Sequence, residues 1–167
     1  MIENYDNYIE ISKTDCSFEK MYKKEYLSEN IIDDIKKANV LLIPDEKYTD
    51  YPVFPERTTE FFNYLKTNTN NSDVVFDICI DDDNYKTLEM HDAVILLTTI
   101  LLKDILLPII VSLIANYLYD LLKKTGNKYT DVKIDFIVEK NGNYKKLHYD
   151  GPIEKFEEVM KGIKKIS

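Results

Sequence analysis

Hydrophobic and polar positions alternate most cleanly over residues 131–139, DVKIDFIVE, where Val132, Ile134, Phe136 and Val138 share one side of an extended chain. Asn141-Gly142 follows, the preferred pair for a two-residue type I′ turn, and YKKLHYD returns. Counting back from that turn sets Val138 opposite Lys145, Phe136 opposite Leu147 and Ile134 opposite Tyr149. Large apolar side chains then meet on one face, whereas a slip of one residue would oppose them to lysines. The other face pairs Asp135 with His148 and Lys133 with Asp150. Gly151-Pro152 is expected to open a last helix, with Ile153, Phe156, Met160 and Ile163 three or four residues apart.

The pattern breaks down over residues 93–122, where Lys103, Asp104 and Asp120 are the only charges. A stretch this apolar must be buried, bound to a partner or placed in lipid. It reads as two helices, about 86–103 and 108–124, divided at Lys103-Asp104, with Pro108 in the first turn of the second. A thin polar stripe at Ser112, Asn116, Asp120 and Lys123 runs down the second helix, and Gly126 suits its left-handed cap. Burial against a sheet accounts for most of this surface. The surplus favours homo- or hetero-oligomerisation. Membrane insertion is disfavoured, because Lys103-Asp104, Pro108, Asn116 and Asp120 interrupt a span that needs about 20 apolar residues.

Upstream, VLLI at 40–43 closed by Pro44 has the pattern of a strand covered on both faces. Pro55 and Glu56 open a helix to Lys66, with Phe61, Phe62 and Leu65 inward, and VVFDICI at 74–80 is a second strand. Such a strand–helix–strand unit implies parallel pairing with a right-handed crossover. Residues 5–12 form a short strand, and 17–38 one broken or two short helices, with Ser28 as an N-cap. The fold class is therefore α+β. A small mixed sheet of about four strands, a βαβ unit plus the Asn-Gly hairpin, packs on two long apolar helices and a C-terminal amphipathic helix. Residues 1–38 are an N-terminal arm or helical wrap, and 39–167 the core domain.

Composition narrows the function classes. The 167 residues carry a net charge of −8, and Arg57 is the only arginine. Both features oppose nucleic-acid binding. Four scattered glycines leave no phosphate-binding loop, so no nucleotide cofactor is implied. Cys16 and Cys79 lack metal-ligand spacing and read as reduced thiols of a cytoplasmic protein. The first residues have acids where a signal peptide needs lysines.

Three groups of residues are candidates for chemistry or contact. Asp77, Asp81, Asp82 and Asp83 gather at the end of a strand, where carboxylates hold Mg²⁺ or Ca²⁺ or simply cap the next element. An EF-hand is excluded, since Lys86 and Asp92 replace the required glycine and glutamate. His148 opposite Asp135 resembles half a catalytic relay, with His91 as a further base, but no nucleophile stands in a recognisable context. Tyr48, Tyr51 and Phe54, set among prolines, make an adhesive loop or fold back over the following helix.

Residues 88–166, through LEMHDAVILL, IVSLIANYLYDLLKK and DVKIDFIVEKNGNYKKLHYDGP, resemble the small effector-associated domains of bacterial conflict systems, without the glycine-rich stretch those carry between helices. The resemblance implies action by binding other proteins. The expected function is a non-enzymatic, acidic adaptor, inhibitor or immunity protein of a bacterial or phage conflict system. It would use Tyr48, Tyr51, Phe54 and Asp81, Asp82, Asp83 against a partner with a basic surface. The alternatives are a metal-dependent hydrolase built on Asp77, Asp81 and Asp83, and a membrane-associated effector acting through the apolar helices.

Overall fold

In the computed structural model, which describes residues 7–89 and 94–163, strand β1 (Ile9–Lys13) leads into two short helices, α1 (Phe18–Tyr22) and α2 (Glu29–Lys37). Ser17 caps α1 by accepting from the Lys20 N–H at 3.1 Å. Ser28 stands at the N-cap of α2, but its hydroxyl makes no cap bond. Its backbone N–H instead donates to Asp81 Oδ1 at 3.1 Å. Next come β2 (Val40–Ile43), the two-residue β3 (Phe54–Pro55), α3 (Thr58–Asn68), β4 (Phe76–Ile78) and the two-residue β5 (Thr87–Leu88). The chain finishes with β6 (Val94–Leu96), β7 (Thr99–Lys103), α4 (Leu107–Thr125), β8 (Asp131–Lys140), β9 (Asn143–Pro152) and α5 (Phe156–Lys161).

The mixed α+β class holds, around a larger sheet than expected. Its strand order is β1-β9-β8-β7-β2-β4, with β6 also on β8. The hairpin takes the counted register, Phe136 against Leu147 and Asp135 against His148. Asn141 and Gly142 turn with φ of 53° and 81°, as a type I′ turn requires. β2 and β4 are parallel around α3, as the strand–helix–strand reading predicts.

Residues 94–103 correct the expected first apolar helix. They form β6, which pairs with β8, and β7, at the centre of the sheet between β2 and β8. A strand buried on both faces loses its period of two and resembles a core helix. Leu96 pairs with Lys133 and Ile100 with Phe136. Leu97, Thr98 and Thr99 therefore oppose only Ile134 and Asp135, a bulge with one extra residue.

Alternation along the central strands divides the core in two. Val40, Leu42, Ile100, Leu102, Phe136 and Leu147 face α3, α4 and α5. Leu41, Ile43, Leu101 and Ile137 face Phe18, Met21, Leu27 and Ile35 of the N-terminal helical segment. That segment is thus a second helical layer on the sheet. Two boundaries also move. Pro55 belongs to β3, with its carbonyl accepting from Thr58 Oγ1 at 2.7 Å where α3 begins. Gly151 and Pro152 end β9 rather than opening a helix. Pro108 does lie in the first turn of α4, and Gly126 at φ 64° caps it.

Candidate functional site

The parallel strands β2 and β4 deliver two loops to one end of the sheet, residues 44–57 and 79–89, and these join through the β3–β5 pair. The first closes on itself: Asp45 and Val53 exchange backbone hydrogen bonds at 2.8 and 2.9 Å. Asp45 Oδ1 accepts from the Lys47 N–H at 2.7 Å, and Glu46 meets Lys24 at 2.9 Å. Pinned in this way, the loop holds Tyr48 67% exposed and Tyr51 46% exposed. Lys86 Nζ lies 4.3 Å from the Tyr51 ring centroid, a cation–π contact that steadies it.

Beneath Tyr48 is a cavity of about 250 Å³. It lies where β2 stops at Ile43 and where, among the described residues, no strand pairs with the other edge of β6, so the bulge opens a gap in the sheet. Val53, Phe54, Leu88, Leu96 and Leu97 supply apolar walls. The hairpin's polar face supplies Lys133, Asp135, His148 and Asp150, and Asp45 stands at the rim. His148 Nδ1 and Asp135 Oδ1 share a hydrogen bond of 2.5 Å. Lys146 Nζ is 3.7 Å from the other Asp135 oxygen. Among the described residues the lining holds no serine or cysteine, and the Thr98 hydroxyl is engaged, donating to the Ile43 carbonyl at 2.9 Å. The geometry suits a side chain or small molecule with an apolar body and a hydrogen-bonding or cationic tip.

The expected contact residues separate. Tyr48 and Tyr51 are presented, and Asp82 and Asp83 are exposed on a 3₁₀ turn, Asp82–Asn84. Phe54 is not presented. It is 1% exposed and stacks on Tyr85 with centroids 5.3 Å apart, anchoring the loop and forming part of the wall of the cavity beneath Tyr48. Asp81 is half-buried and engaged by the Ser28 amide. Asp77, also half-buried, accepts from the Ile78 N–H at 2.8 Å, and burial raises its pKa above the usual carboxylate value. Among the described residues no three or more His, Cys, Asp or Glu side chains are grouped to hold a metal, so the Asp77, Asp81 and Asp83 set does not assemble a centre. His91 lies outside the described residues. Counting register could find the Asp135–His148 pair, but nothing local signals that Tyr48 sits above it.

By length and composition alone, the helical stretch Asp104–Thr125 could cross a membrane. Half of its most apolar window is buried in the fold, and Ile110, Ile114 and Leu118 are wholly so. Comparison with protein-family models, curated proteins and solved structures finds no match to this chain.

Proposed function

We propose that this chain is a non-catalytic protein-interaction module, an acidic adaptor, inhibitor or immunity protein of a bacterial or phage conflict system working in the cytoplasm. Its loop 45–53 grips a basic segment of the partner, and the cavity beneath Tyr48 takes one anchoring side chain. The observation that carries this reading is the exposed Tyr48 on a pinned loop at the mouth of that cavity. A large aromatic held outward by backbone bonds loses little conformational freedom on binding, which is what an interface anchor needs. Asp45 and Asp50 in the same loop, and the exposed Asp82 and Asp83 in the loop joined to it through β3–β5, on a chain of net charge −8, complement lysine and arginine. No serine or cysteine stands beside the His148–Asp135 pair among the described residues lining the cavity, and the Thr98 hydroxyl is engaged, which favours binding over turnover.

The test is capture from the native host with the wild type and with Tyr48→Ala/Tyr51→Ala. The reading requires a partner that the double variant loses, that weakens steeply between low and moderate salt, and that carries a basic contact surface. A partner retained equally by the double variant would sink it, as would turnover of any small substrate that stops on His148→Ala.

A further inference from the structure

Two of the exposed large apolar side chains outside loop 45–53 belong to one stripe. Ile105, in the turn preceding α4, is 78% exposed, and Tyr119 near the other end of α4 is 38% exposed. Between them, Pro108 and Asn116 are exposed and Ser112 is half-buried. At about 100° per residue Pro108, Ser112, Asn116 and Tyr119 fall within about 40° of one line, extending some 16 Å (roughly 1.5 Å per residue), and Ile105 stands at its end in the 3₁₀ turn before the helix. None of these is charged, in a chain of which 31% is charged, and the first charge on the same line is Lys123, one turn beyond Tyr119. The loop alongside, residues 68–72, is NTNNS and equally uncharged. Together with Pro108, Ile109, Ser112 and Asn116 it lines one shallow depression. The charged lining residue there, Lys161, is neutralised by Glu157 at 2.9 Å, and Glu157 also accepts from the Ser112 hydroxyl at 3.3 Å. Charge depletion flanked by exposed Ile105 and Tyr119 is how an interface centre differs from an ordinary solvated helix.

The occupant follows from charge and symmetry. We infer that this face of α4 meets the same face of a second copy of the chain, antiparallel, across a two-fold axis at Ser112. Two chains of charge −8 repel wherever carboxylate surfaces meet, and this uncharged stripe lets them approach without opposing like charges. Amide and hydroxyl groups both donate and accept, so the asparagine-rich patch complements itself, which a patch of one sign cannot. The stripe is also symmetric in sequence: Ile105 and Tyr119 lie seven residues either side of Ser112, and Pro108 and Asn116 four either side. A two-fold axis there sets each Ile105 against the other copy's Tyr119. The small serine sits where the two backbones come closest. Asp104 and Asp120, also equidistant from Ser112, fall about 80° to opposite sides of the stripe and so do not confront each other. The face lies on the helical layer across the sheet from His148, so self-association and the partner site proposed above are separable.

Sedimentation equilibrium of the full chain tests the inference. A dimer is expected, and Asn116→Lys, an exposed change that sets a lysine beside each Pro108, is expected to weaken it at least about tenfold while leaving the melting temperature of the monomer unchanged. As a second measurement, Ser112→Cys in a Cys16→Ser background should form an interchain disulfide at least about ten times faster than an exposed control, Glu29→Cys. A monomer up to about 100 µM overturns the inference, whatever other protein covers the face. So does a dimer indifferent to Asn116→Lys, or linkage at Ser112 no faster than at the control.

Discussion

Tyr8 packs so closely on Gly151 that a β-carbon added to the glycine would fall 2.7 Å from Tyr8 Cδ1 and 3.2 Å from its Cβ. The Tyr8 carbonyl accepts from the Asp150 N–H at 2.9 Å, fixing the backbone beside β9. Turning the Tyr8 side chain about χ1 moves Cδ1 and Cγ away but leaves Cβ tight at 3.2 Å and takes the ring off its packing against Tyr149. Gly151→Ala is therefore expected to destabilise the fold by about 1–3 kcal/mol, an overpacking cost. Tyr8→Ala in the same chain should recover most of that loss. Urea denaturation of the two single variants and the double variant checks it; additive effects would show that the contact does not constrain the strand.

The same residues show what is legible in the sequence and what is not. The hairpin can be read because its turn pair demands positive φ and its apolar face tolerates one register. Gly151 and Pro152 mislead, since both are helix punctuation, and the contact with Tyr8 that keeps Gly151 extended comes from 143 positions away. Residues 94–103 mislead for the opposite reason: burial on both faces erases the period of two. Their β-branched Val94, Ile95, Thr98, Thr99 and Ile100 are the usable sign of a strand. At the candidate site, counting pairs Asp135 with His148, and the proline-flanked loop marks Tyr48 for exposure. Phe54 is not separable from Tyr48 and Tyr51 by sequence, because its partner Tyr85 arrives through the β3–β5 pairing. The cavity depends on where β2 ends beside the bulge, which no local pattern encodes.

Gly142 gives a sharper test of the hairpin. At φ 81° an alanine is strained by about 1–2 kcal/mol, although the N–H at this position could still donate to Glu139 Oε1, now at 2.9 Å. Gly142→Ala should lower stability by roughly that amount without shifting register, since Phe136 and Leu147 still meet face to face. Cross-strand nuclear Overhauser contacts between those two side chains should persist. Their replacement by contacts from Phe136 to Lys146 or His148 would show that the turn, rather than the apolar face, sets the pairing.

The two thiols should differ in reactivity. Cys79 is fully buried, and burial, reinforced by the nearby Asp77 charge, pushes its pKa well above the ordinary thiol value. Cys16 is half-buried; burial raises its pKa too, but Lys24 and Lys20 oppose that. In the native protein a disulfide reagent at pH 8 should titrate Cys16 alone. Cys79 should react at least about a thousandfold more slowly than in denaturant, because reaction requires opening of the fold. Two thiols released at one rate under native conditions would contradict the packing of Cys79 against the α2 layer.

Asp77 connects this layer to pH. Burial is the main cause of its raised pKa, and the Asp34 and Asp82 charges add to it, while the Ile78 N–H and Lys66 oppose it. An acid whose pKa is higher in the folded than in the unfolded state binds more protons when folded. Its contribution to stability is therefore complete below the unfolded value and is lost as pH rises through the folded value. Asp77→Asn removes the ionisation but keeps an oxygen that accepts from the Ile78 N–H. The variant should melt above the wild type at pH 7, and the gap should close as pH falls towards about 3, where the wild-type carboxyl is protonated in both states. Melting curves across this range decide the matter: a gap constant with pH would assign the effect to packing, and a variant less stable at pH 7 would show that the charge at Asp77 is held by a favourable partner.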